Sequence, residues 1–309
     1  MSLTSDNRPT TGLALGFSAY LLWGFFPVFF KALVEVTPLE ILAHRIIWST
    51  LFLVLLISGR KQWHVLSSIL KNRKDRLRLL LTAILISTNW LVFIIAVEAG
   101  YVLQASLGYF MTPLVNVLLG RLLLSEYLRF WQKISVGLVA IGVLCQIFVV
   151  GQFPWIALVL ASTFGLYGLM RKTASFDSLT GLTGETLVIT PIALAYLAWL
   201  GINDNMVFWH GALKLDLLLP ASGIITAIPL LLFAAATRRL RLSTIGFLQY
   251  ITPTMHFLLA VLLYKEPFSA AHMVSFALIW GALIIYSIDA TRAIGMARPA
   301  TEPQIDPAT

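Results

Sequence analysis

Charged residues are scarce in this chain, and cysteine is almost absent. Only 12% of the 309 residues are charged, whereas 59% are hydrophobic. Soluble domains carry about 25% charged and about 45–50% apolar residues, so this composition excludes a soluble enzyme or a DNA-binding protein and indicates a membrane protein. The single cysteine, Cys145, excludes an internal disulfide and a thiolate metal site.

The short motifs of several enzyme classes are also missing. The sequence has no G-x-x-x-x-G-K-[ST] phosphate loop, no H-E-x-x-H zinc motif and no G-x-S-x-G nucleophile motif. Its histidines and carboxylates form no cluster with metal-ligand spacing. We therefore expect no enzyme, no catalytic residues, no cofactor and no metal.

Long uncharged segments fill most of the chain instead. A helix needs about 20 apolar residues to cross the hydrocarbon core, and backbone groups in lipid must be satisfied internally, which helices achieve. One segment is too long for a single span and has a turn composition at 151–154, so it holds two helices. We therefore predict an all-α integral membrane protein with ten transmembrane helices. The uncharged segments are 9–30, 46–59 (extended back to 38), 79–97, 99–120, 134–170, 186–203, 217–237, 242–264 and 267–288.

Basic residues are distributed unequally between the two sides of these helices. With the N-terminus in the cytoplasm, 18 of the 22 Lys and Arg residues fall on the cytoplasmic side, and only Lys31, Arg45, Lys214 and Lys265 fall outside. Cytoplasmic loops carry an excess of Lys and Arg, so we predict that both termini are cytoplasmic. The net charge of +8 then reflects topology and attraction to anionic lipid, not binding of nucleic acid.

The chain repeats itself at an offset of 140 positions. Thr112–Pro113 aligns with Thr252–Pro253, and Glu126 aligns with Glu266. Each half holds five helices, and an odd number makes the two copies enter the membrane from opposite sides. Such inverted repeats are common in secondary transporters. The predicted units are a cytoplasmic tail at 1–11, two inverted five-helix repeats at 12–150 and 151–290, and a disordered cytoplasmic tail at 291–309.

Four stretches resemble one family of bacterial membrane proteins. They are 40–49 (EILAHRIIWS), 105–120 (ASLGYFMTPLVNVLLG), 240–267 (LRLSTIGFLQYITPTMHFLLAVLLYKEP) and 275–290 (SFALIWGALIIYSIDA). The chain resembles the RarD family, chloramphenicol-sensitivity permeases of the drug/metabolite transporter superfamily with two EamA-type domains. The resemblance implies a multi-pass protein of the bacterial inner membrane whose first four helices in each half form a central cavity. It implies no particular substrate.

Two predicted helices carry matching polar faces around a proline. Helix 4 presents Tyr109, Thr112, Pro113 and Asn116, and helix 9 presents Gln249, Thr252, Pro253 and His256 at the same spacing. A proline frees a carbonyl four residues earlier and can kink the helix. We therefore predict that the two faces line a substrate pathway, with kinks at Pro113, Pro253 and, in helix 8, Pro229. The alternative is that these groups only form hydrogen bonds between helices.

Further pathway candidates lie within other spans. At the 140-residue offset Arg45 corresponds to Glu185, so opposite charges occupy equivalent places near the two mouths, where they bind a charged substrate group or are satisfied locally. His256 can titrate near neutral pH and is a candidate for proton coupling; Glu185 is the other candidate, and a facilitator without coupling is the alternative. The remaining candidates, for which helix packing is the alternative role, are Asn89, Trp90, Trp23 and Tyr167.

These features together predict a secondary carrier that works by alternating access on a small organic metabolite or drug-like molecule. The alternatives are a channel or a non-transporting membrane sensor and, less favoured, an integral-membrane enzyme acting on lipid. The expected partners are the unidentified small-molecule substrate and the lipid bilayer of the plasma membrane, without nucleic acid. Two complete halves in one chain make a monomer sufficient, and a dimer is compatible with the sequence.

Overall fold

The computed structural model is helical throughout the part of the chain that it describes. That part is 8–296 without 124–126, 173, 175, 211, 238, 241–243 and 246–247, and it contains no strand, which confirms the all-α prediction. The helices are α1 (Arg8–Gly24), α2 (Phe26–Lys31), α3 (Pro38–Gly59), α4 (Trp63–Lys71), α5 (Arg73–Glu98), α6 (Val102–Leu123), α7 (Phe130–Phe148), α8 (Trp155–Lys172), α9 (Ser178–Ile202), α10 (Leu213–Thr237), α11 (Ile251–Leu258, continued as a π-helix through Leu263) and α12 (Ala270–Met296).

Eight of the described segments are long and apolar enough to cross a membrane. Two shorter apolar helices, Trp155–Arg171 and Ile251–Leu263, lie where the sequence predicts the sixth and ninth spans. The protein is therefore a multi-pass membrane protein. Ten spans and inverted halves remain predictions. The amphipathic helix α4 is not a span, and it buries Leu66 and Ile69.

Two of the predicted spans are interrupted. The first is divided at Phe25, which lies in a turn between α1 and α2. The ninth has a turn at 249–250, so Pro253 lies in the first turn of α11 and not inside a continuous helix. A proline in a first turn removes no intrahelical hydrogen bond. Pro113 and Pro229, in contrast, lie inside the unbroken helices α6 and α10.

Helices from both parts of the chain pack together along the middle of the bundle. α3 packs against α9 and α10, α1 against α10, and α8 against α5 and α6, while α7 and α12 pair with each other. The connections at 32–37, 99–101, 149–154, 203–210 and 264–269 share one end of the bundle, which we name the Arg45 end. We name the opposite end the Glu185 end.

α3 and α10 approach each other closely at Gly223. A Cβ atom there would lie 2.5 Å from the backbone nitrogen of Ser49 and even closer to the carbonyl carbon of Trp48. The hydroxyl of Ser49 donates to the Gly223 carbonyl at 3.3 Å. The two backbones therefore approach closely because residue 223 has no side chain.

We predict that Gly223→Ala lowers the free energy of unfolding by about 1–3 kcal/mol, the usual effect of overpacking, because both crowded atoms belong to the backbone. Thermal unfolding of the purified protein in detergent measures this. The matched control is Gly281→Ala in α12, where a Cβ atom meets nothing within 4 Å. Equal melting temperatures for the two variants would contradict the prediction.

Candidate functional site

Arg45 lies buried in α3, and no carboxylate of the described residues pairs with it. Its side chain is 3% exposed, and its guanidinium carbon lies 4.3 Å from the centre of the Trp90 ring and 5.3 and 5.5 Å from those of Phe30 and Phe26. Nε donates to the Thr226 hydroxyl at 2.7 Å, while Nη1 has no partner among the described residues. The positive charge is therefore held mainly by aromatic ring faces.

A series of aromatic side chains connects Arg45 to Glu185. Their ring centres are 6.0 Å apart for Phe30 and Phe93 and 5.9 Å apart for Phe93 and Tyr109. The series continues from Tyr109 to Phe164 at 6.1 Å and from Phe164 to Tyr167 at 6.2 Å. The Tyr167 hydroxyl then donates to Glu185 Oε2 at 3.2 Å. We name these five residues (Phe30, Phe93, Tyr109, Phe164 and Tyr167) the aromatic chain.

Asn89 holds the middle of the aromatic chain in place. It is buried in α5, and its Nδ2 donates to the Leu160 carbonyl at 3.0 Å and to the Thr163 hydroxyl at 2.9 Å, both in α8. Its Oδ1 accepts from the Tyr109 hydroxyl at 3.2 Å. Asn89 therefore joins α5, α6 and α8 and fixes the position of Tyr109.

His256 contacts the same aromatic residues from α11. Its ring stacks on Phe93 at 5.2 Å and lies 5.8 Å from Tyr109. Its Nε2 lies 3.1 Å from the carbonyl oxygen of Trp23; because a carbonyl only accepts, Nε2 carries the proton. The Trp23 oxygen needs this donor, since Pro27, four residues later, has no N–H to offer. His256 Nδ1 is buried without a partner among the described residues.

Glu185 forms an ion pair with a basic residue, whereas Arg45 forms none with the described acidic residues. Its Oε1 lies 3.5 Å from Arg171 Nη1, and both side chains are largely buried. Arg171 is itself held by the Asp177 carbonyl at 3.2 Å and by the ring of Phe176 at 5.3 Å. The charges at the two ends of the aromatic chain therefore have different surroundings.

The structure thus brings together seven of the ten pathway residues predicted from the sequence. Arg45, Trp90, Asn89, Tyr109, His256, Tyr167 and Glu185 lie along the aromatic chain. Trp23 contributes its carbonyl oxygen to His256, while its ring packs on Tyr20 and Phe233. Asn116 lies apart, exposed on α6 beside Gly165, and Gln249 lies in the turn before α11.

Sequence reasoning missed Phe30, Phe93 and Phe164, which supply three of the five rings in the aromatic chain. A phenylalanine in an apolar segment carries no signal that distinguishes a pathway from packing. Arg171 is one of the 18 basic residues that the sequence places on the cytoplasmic side, although its spacing from Glu185 also allows an ion pair across one short connection.

The Arg45 end is closed by contacts between distant parts of the chain. Glu266 accepts from the backbone N–H groups of Val102 at 2.7 Å and Leu103 at 2.8 Å, at the start of α6. Glu40 accepts from the backbone of Val207 at 2.9 Å and Phe208 at 3.2 Å.

The burial of α6 changes along its length: most of 102–112 is buried, whereas much of 116–123 is exposed toward the Glu185 end.

The described structure is a membrane-spanning helical bundle with charged and polar side chains buried between its two ends, and its relatives are membrane transporters. Residues 10–148 match the EamA-like transporter family. The chain is 47% identical to the RarD protein of Salmonella typhimurium over 279 residues, which cover 90% of this chain and 95% of that protein. It belongs to the RarD family of the EamA, or drug/metabolite, transporters.

Other relatives agree with this assignment. A Vibrio cholerae protein described as an uncharacterized transporter is 45% identical over 301 residues, 97% of this chain and 100% of that protein. The chloramphenicol-sensitive protein RarD of Pseudomonas aeruginosa is 34% identical over 287 residues, 92% of this chain and 95% of that protein. A crystal structure with 20% sequence identity shares the fold, with a TM-score of 0.58 over 92% of this chain and 99% of that one.

We predict that His256→Phe destabilises the protein by about 0.6–1.7 kcal/mol, the range for hydrogen bonds between membrane helices, because the Trp23 carbonyl loses its donor. Pro27→Ala restores an N–H four residues after Trp23, so in that background His256→Phe should have a smaller effect. The four proteins form a double-mutant cycle, measured by thermal unfolding. Strictly additive effects would contradict this account of His256.

Proposed function

We propose that this transporter is a secondary carrier that moves a small organic or drug-like molecule by alternating access between two inverted five-helix halves. In this proposal the chain lies in the bacterial inner membrane with both termini in the cytoplasm, so the Glu185 end faces the cytoplasm. The aromatic chain is the route that connects the two sides. A single chain supplies both halves, so a monomer suffices.

The observation that carries the proposal is the match between helix positions and the 140-residue offset. α3 and α9 begin at Pro38 and Ser178, α5 and α10 at Arg73 and Leu213, and α7 and α12 at Phe130 and Ala270, each pair separated by this offset. Packing follows the same relation, because α1 packs on α10 and its equivalent, α8, packs on α5. Inverted repeats with equivalent packing support two conformations related by exchange of the halves.

One hydrogen bond also agrees with a two-fold axis between the halves. The hydroxyls of Thr50 in α3 and Thr190 in α9 lie 2.8 Å apart and are 140 positions apart in sequence. Equivalent residues touch each other only where the axis passes between them. A pseudo-two-fold axis between α3 and α9 therefore accounts for this contact.

Unequal exposure of the two halves supports alternating access. Both ends hold contacts between the halves, through Glu266 and Glu40 at the Arg45 end and through the Arg129–Asp289 ion pair at the Glu185 end. The difference lies in the side chains of α6, which are exposed toward the Glu185 end. His256 is buried, although its equivalent Asn116 is exposed. Two halves with equivalent sequences but different exposure correspond to one state of a carrier. In the other state, each half takes the conformation and exposure that its counterpart has in the first.

We predict counterflow in proteoliposomes. Vesicles containing the full chain and loaded with an unlabelled solute should transiently accumulate the same labelled solute, because a carrier returns faster when loaded. The panel comprises chloramphenicol, amino acids, nucleosides and organic acids, with protein-free vesicles as the control. Uptake that is never accelerated by internal solute, for any compound that crosses, would identify a channel and contradict the proposal.

We also predict that Glu266→Gln opens the Arg45 end. The amide accepts from only one of the two N–H groups, and loss of a helix-capping contact of about 1 kcal/mol corresponds to about fivefold more open protein. A Ser106→Cys probe, buried on α6, in a Cys145→Ala background reports this as faster labelling by an impermeant maleimide added outside cells.

The matched control is Asp216→Asn. Asp216 also accepts from a backbone N–H at the Arg45 end, that of Trp209 at 2.8 Å, but the two residues belong to the same half of the chain. Labelling of the probe should therefore remain at the wild-type rate. An unchanged rate in Glu266→Gln would show that this carboxylate does not hold the two halves together.

A further inference from the structure

The positive charge of Arg45 is unbalanced in the described protein. The ion pairs found among the described residues join other groups, and none involves Arg45. A buried charge without a partner is strongly unfavourable, and ring faces compensate it only in part. The acid on the same helix, Glu40, accepts from the backbone of Val207 and Phe208 through Oε1, while its Oε2 has no partner among the described residues; neither oxygen forms an ion pair with Arg45.

Glu185, which corresponds to Arg45 at the 140-residue offset, is a buried charged group whose partners lie within the protein. Glu185 has a cation at 3.5 Å and a phenol at 3.2 Å. Arg45 has a hydroxyl on Nε and no partner on Nη1, although its side chain is 97% buried. An anion would balance this charge and accept from the unpartnered N–H groups.

Arg45 also lies where helices from both halves of the chain meet. Phe26 and Phe30 belong to α2, Trp90 to α5 and Thr226 to α10, and all contact the guanidinium of Arg45 in α3. A carrier holds its substrate between its two repeats. Phe30 continues into the aromatic chain, so an anion at Arg45 would have apolar ring faces beside it.

We propose that Arg45 binds the carboxylate of an organic anion with an aromatic or similarly apolar body, and that this is the substrate class of the carrier. A guanidinium offers N–H groups in a fork that matches a carboxylate. In this proposal the rings of Trp90, Phe30 and Phe93 pack against the apolar body of the bound anion. This inference rests on the proposed function, because it assigns a substrate class to the same pathway.

The test compares acids with their neutral amides on the full chain in lipid nanodiscs. The probes are benzoate, phenylacetate and indole-3-acetate, each with the corresponding amide, and binding is measured by calorimetry. We expect at least one acid to bind about tenfold more tightly than its amide, the ratio expected for one charge-assisted hydrogen bond. Arg45→Gln should abolish this preference. Arg45→Lys should weaken it, because lysine keeps the charge without the fork.

Arg129→Gln is the matched control. It also removes one positive charge, but Arg129 pairs with Asp289 at 2.6 Å on the periphery of the bundle, so the preference for acid should persist. If Arg45→Gln does not fold, Arg45→Lys carries the comparison. No preference for any acid in the wild-type protein, or a preference that survives in both Arg45 variants, would overturn the inference.

The counterflow assay separates this inference from the carrier proposal. Counterflow of neutral solutes at rates unchanged by Arg45→Lys would overturn the anion site and leave the carrier in place. Binding of acids that depends on Arg45, without counterflow of those acids, would support the site and contradict the carrier.

Discussion

The carbonyl oxygen of Trp23 has no donor in its own helix, because residue 27 is a proline. Within hydrocarbon such an oxygen must find a partner inside the protein. His256 provides it, and this hydrogen bond ties the interruption between α1 and α2 to the interrupted ninth span. The same contact stacks the imidazole on Phe93 and fixes the centre of the aromatic chain. The position of His256 in the middle of the site therefore depends on this backbone carbonyl, while Asn89 fixes Tyr109 beside it.

Hydropathy and charge were sufficient to predict a helical membrane protein, because lipid constrains every residue of a span, whereas the family was predicted from the resemblance of four stretches of sequence. The pathway was predicted less completely. Periodicity places Asn116 and His256 on equivalent faces, but the structure buries one and exposes the other, since two equivalent halves have different surroundings in a single conformation. Phe164 could not be distinguished from packing residues in the sequence, because its role comes from the two tyrosines beside it.

The aromatic chain also limits what the proposed route can carry. Ring faces offer an inorganic ion few polar groups that could replace its hydration shell. They do contact planar or apolar molecules over a large area. The hydrogen-bonding groups near the rings are mostly engaged with the protein: Asn89 binds both Thr163 and Tyr109, and Tyr167 binds Glu185. Selectivity along such a route comes from shape and from the charges at its ends.

The contact between Thr50 and Thr190 has a further consequence under the inverted arrangement that we propose. A residue on a two-fold axis meets its own counterpart, as in an isologous dimer interface, so its side chain must be complementary to itself. A hydroxyl meets this condition because it donates and accepts, whereas two lysines or two glutamates there would repel each other. If the halves arose by duplication of a five-helix ancestor, this position would have been self-paired in the ancestral dimer, before the two copies were joined in one chain.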